Sequence, residues 1–381
     1  PNMHGLDWAA MRDRYGALLP YAARPEDLDW LLSELGAELS AGHVYLQPGD
    51  RPAVKRVENG LLGAEVETHP SGFYRVTKIY PGENWHQDFR SPLTEPGVNV
   101  QEGHYLLAVD GTSTKGVDNF YRLLQNKANR VVTLLVNDKP DAKGAWVERV
   151  RPVRNEQNLR YLDWVQATRE KVAKASGGRI GYIHLPNTAV EGNRELFKYF
   201  YPQTNTDALI LDDRYNGGGF VPHEMIELLD RPLLHYWTRR GEVPDRVPGF
   251  VHTGPKVTLI NGQAGSGGDA FPYYFKKMGM GPLIGTRTWG GLIGLSGSPA
   301  LMDGTNLLAP TFRFLDTEGS WGIENEGVAP DIEVIDSPHL VAKGQDPSLE
   351  KAIEVLQEEL RKNPPAEVKI PKPPVQEWPP R

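Results

Sequence analysis

The sequence contains no cysteine among its 381 residues. This absence excludes disulfide bonds, thiolate metal sites and a cysteine nucleophile. It does not distinguish a cytoplasmic from a periplasmic protein. No apolar run approaches the length of a membrane span, so we expect no membrane partner. The chain begins at Pro1 rather than at methionine, and we therefore expect a fragment or a processed product.

Dense runs of lysine or arginine are also absent. The 42 basic and 49 acidic residues give a net charge of −7 at pH 7, and an acidic chain of this kind is a poor binder of nucleic acid. A hydrophobic content of 39% is ordinary for a globular protein and excludes a wholly disordered chain. The 40 glycines and 32 prolines follow no period, which excludes collagen and predicts many turns.

The hydrophobic pattern divides the chain into four parts. Residues 1–58 predict two helices and a short strand. Residues 59–155 predict mainly short strands, with one helix at about Val117–Gln125 and a tight turn at Asp110-Gly111. Residues 156–340 alternate strands with helices, which predicts an α/β domain with a largely parallel sheet. Residues 341–381 predict a charged helix and then a Pro-rich tail that is extended or disordered.

One serine lies in a glycine-rich turn between a predicted strand and a predicted helix. The segment Ala264-Gly265-Ser266-Gly267-Gly268 is close to the G-x-S-x-G elbow, in which a sharp turn exposes a nucleophilic serine. The N–H that follows such a serine lies at a helix N-terminus, where negative charge is stabilised. The alternative is a simple turn with a capping serine. A phosphate-binding loop is less favoured because no lysine follows in the Walker position.

A second glycine cluster, Asn216-Gly217-Gly218-Gly219, follows an earlier strand of the same predicted sheet. Ligands of parallel sheets bind at the carboxyl ends of the strands, so the two clusters are expected to lie close together. An oxyanion hole needs two N–H donors that converge on one oxygen, and this cluster could supply the second donor. A flexible turn remains the alternative interpretation.

A nucleophilic serine requires a base. No lysine lies between residues 278 and 342, so a lysine shortly downstream of Ser266 cannot serve as that base. Histidine is the expected base. His43 follows a helix break and His223 follows the glycine cluster, and the pattern favours His43 only slightly over His223. Farther along, Glu324 or Glu326 could orient a histidine or a substrate amine.

Taken together in their order, the motifs resemble the tricorn branch of the carboxyl-terminal processing serine peptidases. The resemblance runs from about residue 3 to about residue 360. The matching motifs are Gly5-Leu6-Asp7-Trp8, His43-Val44-Tyr45, Gly181-Tyr182-Ile183-His184, Asp212 through Gly219, the Ser266 turn, and Glu324 through Glu333. Residues 59–155 resemble a PDZ domain, with Leu61-Leu62-Gly63-Ala64 at the place of the carboxylate-binding loop.

The resemblance implies a crotonase-like ββα serine-peptidase core, built from residues 1–58 and 156–340, with the PDZ domain inserted between them. It implies an endopeptidase that acts on oligopeptides or unfolded chains, requires no metal or organic cofactor, and forms a homo-oligomer in the full-length protein. The residues it implies are Ser266 as nucleophile, His43 as base, Glu324 as the acid behind the histidine, and Gly218 and Gly267 as oxyanion donors.

Two departures from the family pattern affect the expected function. Gly42 stands where the family has a serine before the histidine, which supports the rival reading of a weak or inactive peptide-binding PDZ protein. An acyl-CoA enzyme is a second rival, because crotonase-like folds also use paired backbone N–H groups. Residues 233–240 contain no acid, so we expect an apolar or aromatic P1 side chain, with Tyr236 and Trp237 as pocket walls. The alternative is that a loop carries Glu242 or Asp245 into the pocket and selects a basic side chain.

Overall fold

The structure is a computed structural model that describes residues 3–52 and 54–375. The chain divides into two compact units, Pro1–Arg51 with Lys171–Arg381, and Pro52–Glu170. Each unit has its own hydrophobic core. Over the described residues, no helix combines the length and the apolar character that a membrane crossing requires.

The first unit begins with two helices, as the sequence predicts. Helix α1 spans Trp8–Gly16, and the side chain of Asp7 caps it by accepting a hydrogen bond from the Ala10 N–H (3.1 Å). Helix α2 spans Pro25–Ala37 and has proline at its first position, where the missing N–H costs nothing. Strand β1, Tyr45–Gln47, follows the helix break and pairs antiparallel with residues 306–308.

The inserted unit contains an antiparallel six-stranded sheet. Its strands are β2 (Ala64–Thr68), β3 (Tyr74–Ile79), β4 (Tyr105–Val109), β5 (Thr112–Ser113), β6 (Val132–Asn137) and β7 (Trp146–Val150). The order is β2-β3-β4-β6-β7, with β5 paired to β4. Asp110 and Gly111 both have positive φ, 46° and 78°, which confirms the predicted tight turn between β4 and β5.

The prediction of one helix in this unit is wrong. The segment Val117–Gln125 contains only a 3₁₀ helix, Phe120–Leu124. The Asn119 side chain accepts a hydrogen bond from the Tyr121 N–H (3.0 Å), and Phe120 and Leu124 are buried one turn apart. Two buried anchors within five residues are enough to hold a single short turn.

The remaining helices and strands belong to the first unit, apart from residues 157–170 of α3. They are α3 (Gln157–Ser176), β8 (Ile180–His184), α4 (Val190–Phe200), β9 (Ala208–Asp212), α5 (Pro222–Leu229), β10 (His235–Trp237), β11 (Asp245–Val247), β12 (Lys256–Ile260), α6 (Gly267–Lys277), β13 (Leu283–Gly285), β14 (Ile293–Gly294), β15 (Asn306–Leu308), β16 (Phe312–Arg313), β17 (Ile332–Glu333), α7 (Pro338–Val341) and α8 (Pro347–Lys362). No regular secondary structure follows from residue 364 to residue 375, and the rest of the predicted tail, 376–381, lies outside the described residues.

The central sheet has the order β17-β13-β12-β9-β8 and is parallel throughout, which confirms the predicted parallel sheet. Helices α4, α5 and α6 bury their apolar residues in one core with this sheet, and α8 packs on β9, β12 and β13. Strands β9 and β12 are direct neighbours. Their carboxyl ends therefore meet at one edge, and this edge carries both glycine clusters.

Candidate active site

Ser266 occupies the turn between β12 and α6. Its backbone has φ 57° and ψ −114°, a conformation that residues with a side chain rarely adopt. Such a strained conformation persists only where the surrounding structure holds it, and it is typical of functional turns. Ser266 lines a cleft of about 520 Å³, as do Gly267 and His43. The structure thus brings the predicted nucleophile and the predicted base to one cleft.

Asp269 stabilises the Ser266 turn through buried hydrogen bonds, a role that the sequence analysis missed. Its carboxylate is fully buried and accepts hydrogen bonds from the Ser266 N–H (2.7 Å) and the Thr288 hydroxyl (2.5 Å). The N–H groups of Gly290 (2.8 Å) and Gly291 (3.0 Å) also donate to it. Burial raises the pKa of Asp269, and these hydrogen bonds oppose the rise. The signal was present in the sequence, since an acid three residues after a helix-capping serine is a capping box.

The glycine cluster after β9 lies directly against the nucleophile. A Cβ on Gly218 would lie 2.7 Å from the Ser266 Cβ, and its φ is +85°, so only glycine fits there. The Gly218 N–H, predicted as an oxyanion donor, donates to the Oδ1 atom of Asn216 (2.8 Å). Within the described part of the chain, the N–H groups of Gly219 and Gly267 have no acceptor. These two glycines line the cleft beside Ser266, whereas Gly218 does not.

A buried polar network joins the two glycine turns. Asn216 is fully buried, and its Nδ2 atom donates to the Oδ1 atom of Asp213 (2.8 Å). The backbone oxygen of Asn216 accepts a hydrogen bond from the Gly265 N–H (3.1 Å), in the nucleophile turn. Burial raises the pKa of Asp213 well above its usual range. The network therefore fixes the spacing between the cluster and Ser266.

Glu324 reaches the histidine segment through the backbone. Its Oε1 atom accepts a hydrogen bond from the Gly42 N–H (2.6 Å), between residues 282 positions apart in sequence. The Nδ1 atom of His43 and the Oε2 atom of Glu324 are both buried without a partner among the described residues. The backbone N–H of Gly42 thus contacts the acid, although Gly42 lacks the hydroxyl of the family serine.

Asn325, the residue after Glu324, forms hydrogen bonds with both the histidine segment and the segment around Gly290. Its Nδ2 atom donates to the Ser40 carbonyl (2.8 Å), and its N–H donates to the Gly290 carbonyl (2.7 Å). Gly290 in turn donates to Asp269, which holds Ser266. A continuous chain of hydrogen bonds therefore connects the nucleophile turn to the histidine segment.

Trp289 is a second residue that the sequence analysis missed. Its indole lies 5.5 Å from the His43 ring, centroid to centroid, at an interplanar angle of 41°. A Cβ on Gly265 or Gly291 would lie 2.5 Å or 2.1 Å from an indole carbon, and one on Gly42 would lie 3.3 Å away. Three glycines thus make room for one aromatic side chain against the histidine.

The walls of the cleft differ from the prediction. Tyr236 and Trp237 do not line it, because they belong to β10, which pairs with β11 in a separate hairpin. Trp237 is 62% exposed. The cleft is apolar on several sides, and the apolar residues that line it include Phe220, Ala270, Tyr274, Leu292, Ile293, Phe312, Phe314 and Leu315. His223, the rival base, also lines it, so the cleft holds two histidines.

Comparison with known proteins agrees with this architecture. Residues 179–334 match Peptidase family S41, residues 60–155 match the tricorn protease PDZ domain, and residues 1–37 match the tricorn protease C1 domain. Ser266 and Glu324 lie inside the S41 segment, whereas His43 lies between the matched segments. The fold is that of an S41 serine peptidase with an inserted PDZ domain.

Within that family, the chain is similar to the tricorn proteases. It is 36% identical over 371 residues to tricorn protease homolog 1 of Streptomyces coelicolor, covering 96% of this chain and 34% of the relative. It is 33% identical over 349 residues to tricorn protease of Thermoplasma acidophilum, covering 92% and 32%. A crystal structure of tricorn protease matches with a TM-score of 0.86 at 32% identity, over 93% of this chain and 34% of that one. The chain spans about a third of the length of these relatives.

Proposed function

We propose that this chain is a serine endopeptidase that hydrolyses peptide bonds in oligopeptides or unfolded chains. The observation that carries the proposal is Ser266, held in a strained turn, sharing one cleft with His43 and with two free backbone N–H groups. A nucleophile, a base and converging N–H donors are the three parts that acyl transfer requires.

The reaction runs through an acyl-enzyme. The Ser266 Oγ atom attacks the scissile carbonyl while the Nε2 atom of His43 takes the hydroxyl proton. The C–N bond then breaks, and the leaving amine receives that proton from the histidine. Water then attacks the acyl carbonyl and loses a proton to His43. The bond between the acyl carbon and the Ser266 Oγ atom breaks, the acid is released, and His43 returns the proton to that oxygen. Glu324 orients the histidine segment through the Gly42 N–H.

We assign the oxyanion contacts to the N–H groups of Gly267 and Gly219. Both are free and both line the cleft, which supports this pair over one that contains Gly218. Gly218 then has two other roles. It leaves space beside Ser266 because it has no side chain, and its N–H donates a hydrogen bond to Asn216. Each such donor stabilises the transition state by about 3 kcal/mol.

The cleft supports an apolar or aromatic P1 residue. Among the described residues, no Asp or Glu lines it, and a buried lysine or arginine side chain needs such a partner. Glu242 and Asp245, the two acids that follow residues 233–240, both pair with Arg239. A reporter series that varies only P1 tests this. A kcat/KM for arginine about tenfold above that for leucine and phenylalanine would contradict it.

Labelling by a fluorophosphonate tests the nucleophile and the base together. We expect wild-type protein to label at Ser266, Ser266→Ala to be silent, and His43→Ala to label at least about a hundredfold more slowly. His223→Ala is the matched control, because the second histidine of the cleft is removed instead. Fast labelling of His43→Ala together with slow labelling of His223→Ala would make His223 the base. No labelling in wild type would favour a non-hydrolytic peptide-binding protein.

The self-association that the family resemblance implies for the full-length protein remains a proposal. Sedimentation of the full-length chain measures it directly, and a single monomeric species at micromolar concentration would contradict it.

A further inference from the structure

Arg313 is the only charged side chain that lines the Ser266 cleft within the described residues. It lies in β16, where antiparallel pairing places it opposite Ile293 of β14. Both strands are two residues long, and the segments that follow the Gly290-Gly291 turn carry Ile293 into the cleft wall. The backbone pairing therefore fixes the cation at the edge of the site.

The Arg313 guanidinium has no anionic partner inside the described part of the chain. It forms no ion pair there, and none of its N–H groups donates a hydrogen bond, although Glu324 lines a small depression together with it. Its Cζ atom lies 4.8 Å from the centroid of the Trp321 ring, which holds the group by a cation–π contact. A guanidinium stacked on an aromatic face keeps its planar fork of donors available to a ligand.

One surface beside Arg313 is apolar, and on another side Arg313 lines a polar depression with His4, Glu324 and Asn325. Ile293, Phe312 and Arg313 line the Ser266 cleft and also a second depression of about 450 Å³. Trp8 and Leu307 line that second depression, and no acidic side chain of residues 3–52 or 54–375 lines it. A peptide that leaves Ser266 along β14 and β16 thus passes a cation and then meets apolar surface.

We propose that Arg313 is a specificity-determining residue that binds a carboxylate of the peptide substrate. The inference rests on the proposed peptidase function. A guanidinium binds a carboxylate through two parallel N–H···O bonds, and such charge-assisted pairs are the strong ones. The carboxylate comes either from an acidic side chain or from the C-terminus of the substrate, and the chemistry at Arg313 is the same for both.

Matched peptide pairs test the proposal on the whole chain. One series exchanges Glu for Gln at each position from P3 to P3′, and a second compares free and amidated C-termini. We expect wild type to prefer one carboxylate peptide over its neutral partner by about tenfold in kcat/KM, or about 1.4 kcal/mol. The series that carries the preference identifies the source of the carboxylate.

The measured quantity is the ratio of kcat/KM for the carboxylate peptide to that for its neutral partner. A general loss of activity cancels in this ratio. Arg313→Gln should bring the ratio to about one, and Arg313→Lys should keep part of it because the charge remains while the fork is lost. Arg240→Gln is the matched control. The substitution changes the net charge by the same amount, and Arg240 is exposed and does not line the cleft. Its ratio should equal that of wild type.

Two results would overturn the inference: equal turnover of both members of every pair by wild type, or an unchanged ratio in Arg313→Gln. Failure of the proposed peptidase function looks different, since no peptide would be cleaved and no fluorophosphonate would label Ser266.

Discussion

At the scale of single residues, Trp289 shows how the site holds its base. The indole packs against the His43 ring and fits only because Gly42, Gly265 and Gly291 leave space for it. We expect Trp289→Ala to lower kcat about tenfold with KM nearly unchanged, because the histidine loses its orientation while the substrate walls remain. Trp289→Phe should recover most of kcat, since an aromatic ring still contacts the histidine.

Steady-state kinetics on one chromogenic peptide measures both constants. An alanine variant with wild-type kcat, or an effect confined to KM, would mean that the indole is a substrate wall and does not position the base.

At the scale of elements, the PDZ loop that is expected to bind a peptide carboxylate, Leu61–Ala64, already contacts a carboxylate of its own chain. The Gly63 N–H donates to the Oε2 atom of Glu156 (3.1 Å), and Arg160 holds the same carboxylate (2.7 Å). A peptide C-terminus that adds beside Leu61–Ala64 must therefore compete with Glu156 for this donor. We expect Glu156→Ala to bind a C-terminal peptide at least about fivefold more tightly than wild type.

Titration calorimetry with a free-carboxylate peptide measures this, and the amidated peptide is the control. Equal affinity of wild type and Glu156→Ala would show that Glu156 does not occlude the loop.

Helix α8 is attached to the central sheet by a buried ionic cluster. Arg214 is 4% exposed and pairs with Asp212 (2.6 Å), Asp336 (3.1 Å) and Asp346 (2.7 Å). Asp346 caps α8, so the cluster joins the end of β9 to the start of that helix. Arg214→Met leaves these carboxylates without their cation and should lower the free energy of unfolding by about 3–5 kcal/mol.

Urea unfolding measures this loss, and Arg361→Met, at the exposed end of α8, should change the free energy by less than about 0.5 kcal/mol. Similar stability of the two variants would show that the cluster contributes specificity and little energy.

At the scale of the whole molecule, one buried histidine makes stability depend on pH. His252 is 3% exposed, and its burial together with nearby Lys256 lowers its pKa to about 4. The unfolded chain takes up a proton near pH 6.5 and the folded one does not, so stability falls as the pH decreases from about 6.5 to about 4. Wild type should lose about 3 kcal/mol more than His252→Gln over this interval.

Urea unfolding of both proteins at several pH values tests this, because groups common to both cancel in the difference. Parallel profiles would show that His252 titrates alike in the folded and unfolded states.

The sequence by itself determined the elements and their local chemistry. Alternating strands and helices indicated a parallel sheet, and the turns after two strands indicated that Ser266 and the cluster ending at Gly219 share an edge. The Asp110-Gly111 pair likewise fixed a tight turn. These features depend on residues close in sequence, so hydrophobic period and turn chemistry are sufficient to find them.

Only the tertiary structure decided which distant residues meet. Gly42 and Glu324 are 282 positions apart, and no local pattern indicates their hydrogen bond. The free N–H of Gly219, the occupied N–H of Gly218 and the absence of Tyr236 and Trp237 from the cleft walls also follow from packing. The reason is physical: whether a donor is free, or a side chain reaches a cleft, depends on what the rest of the chain places beside it.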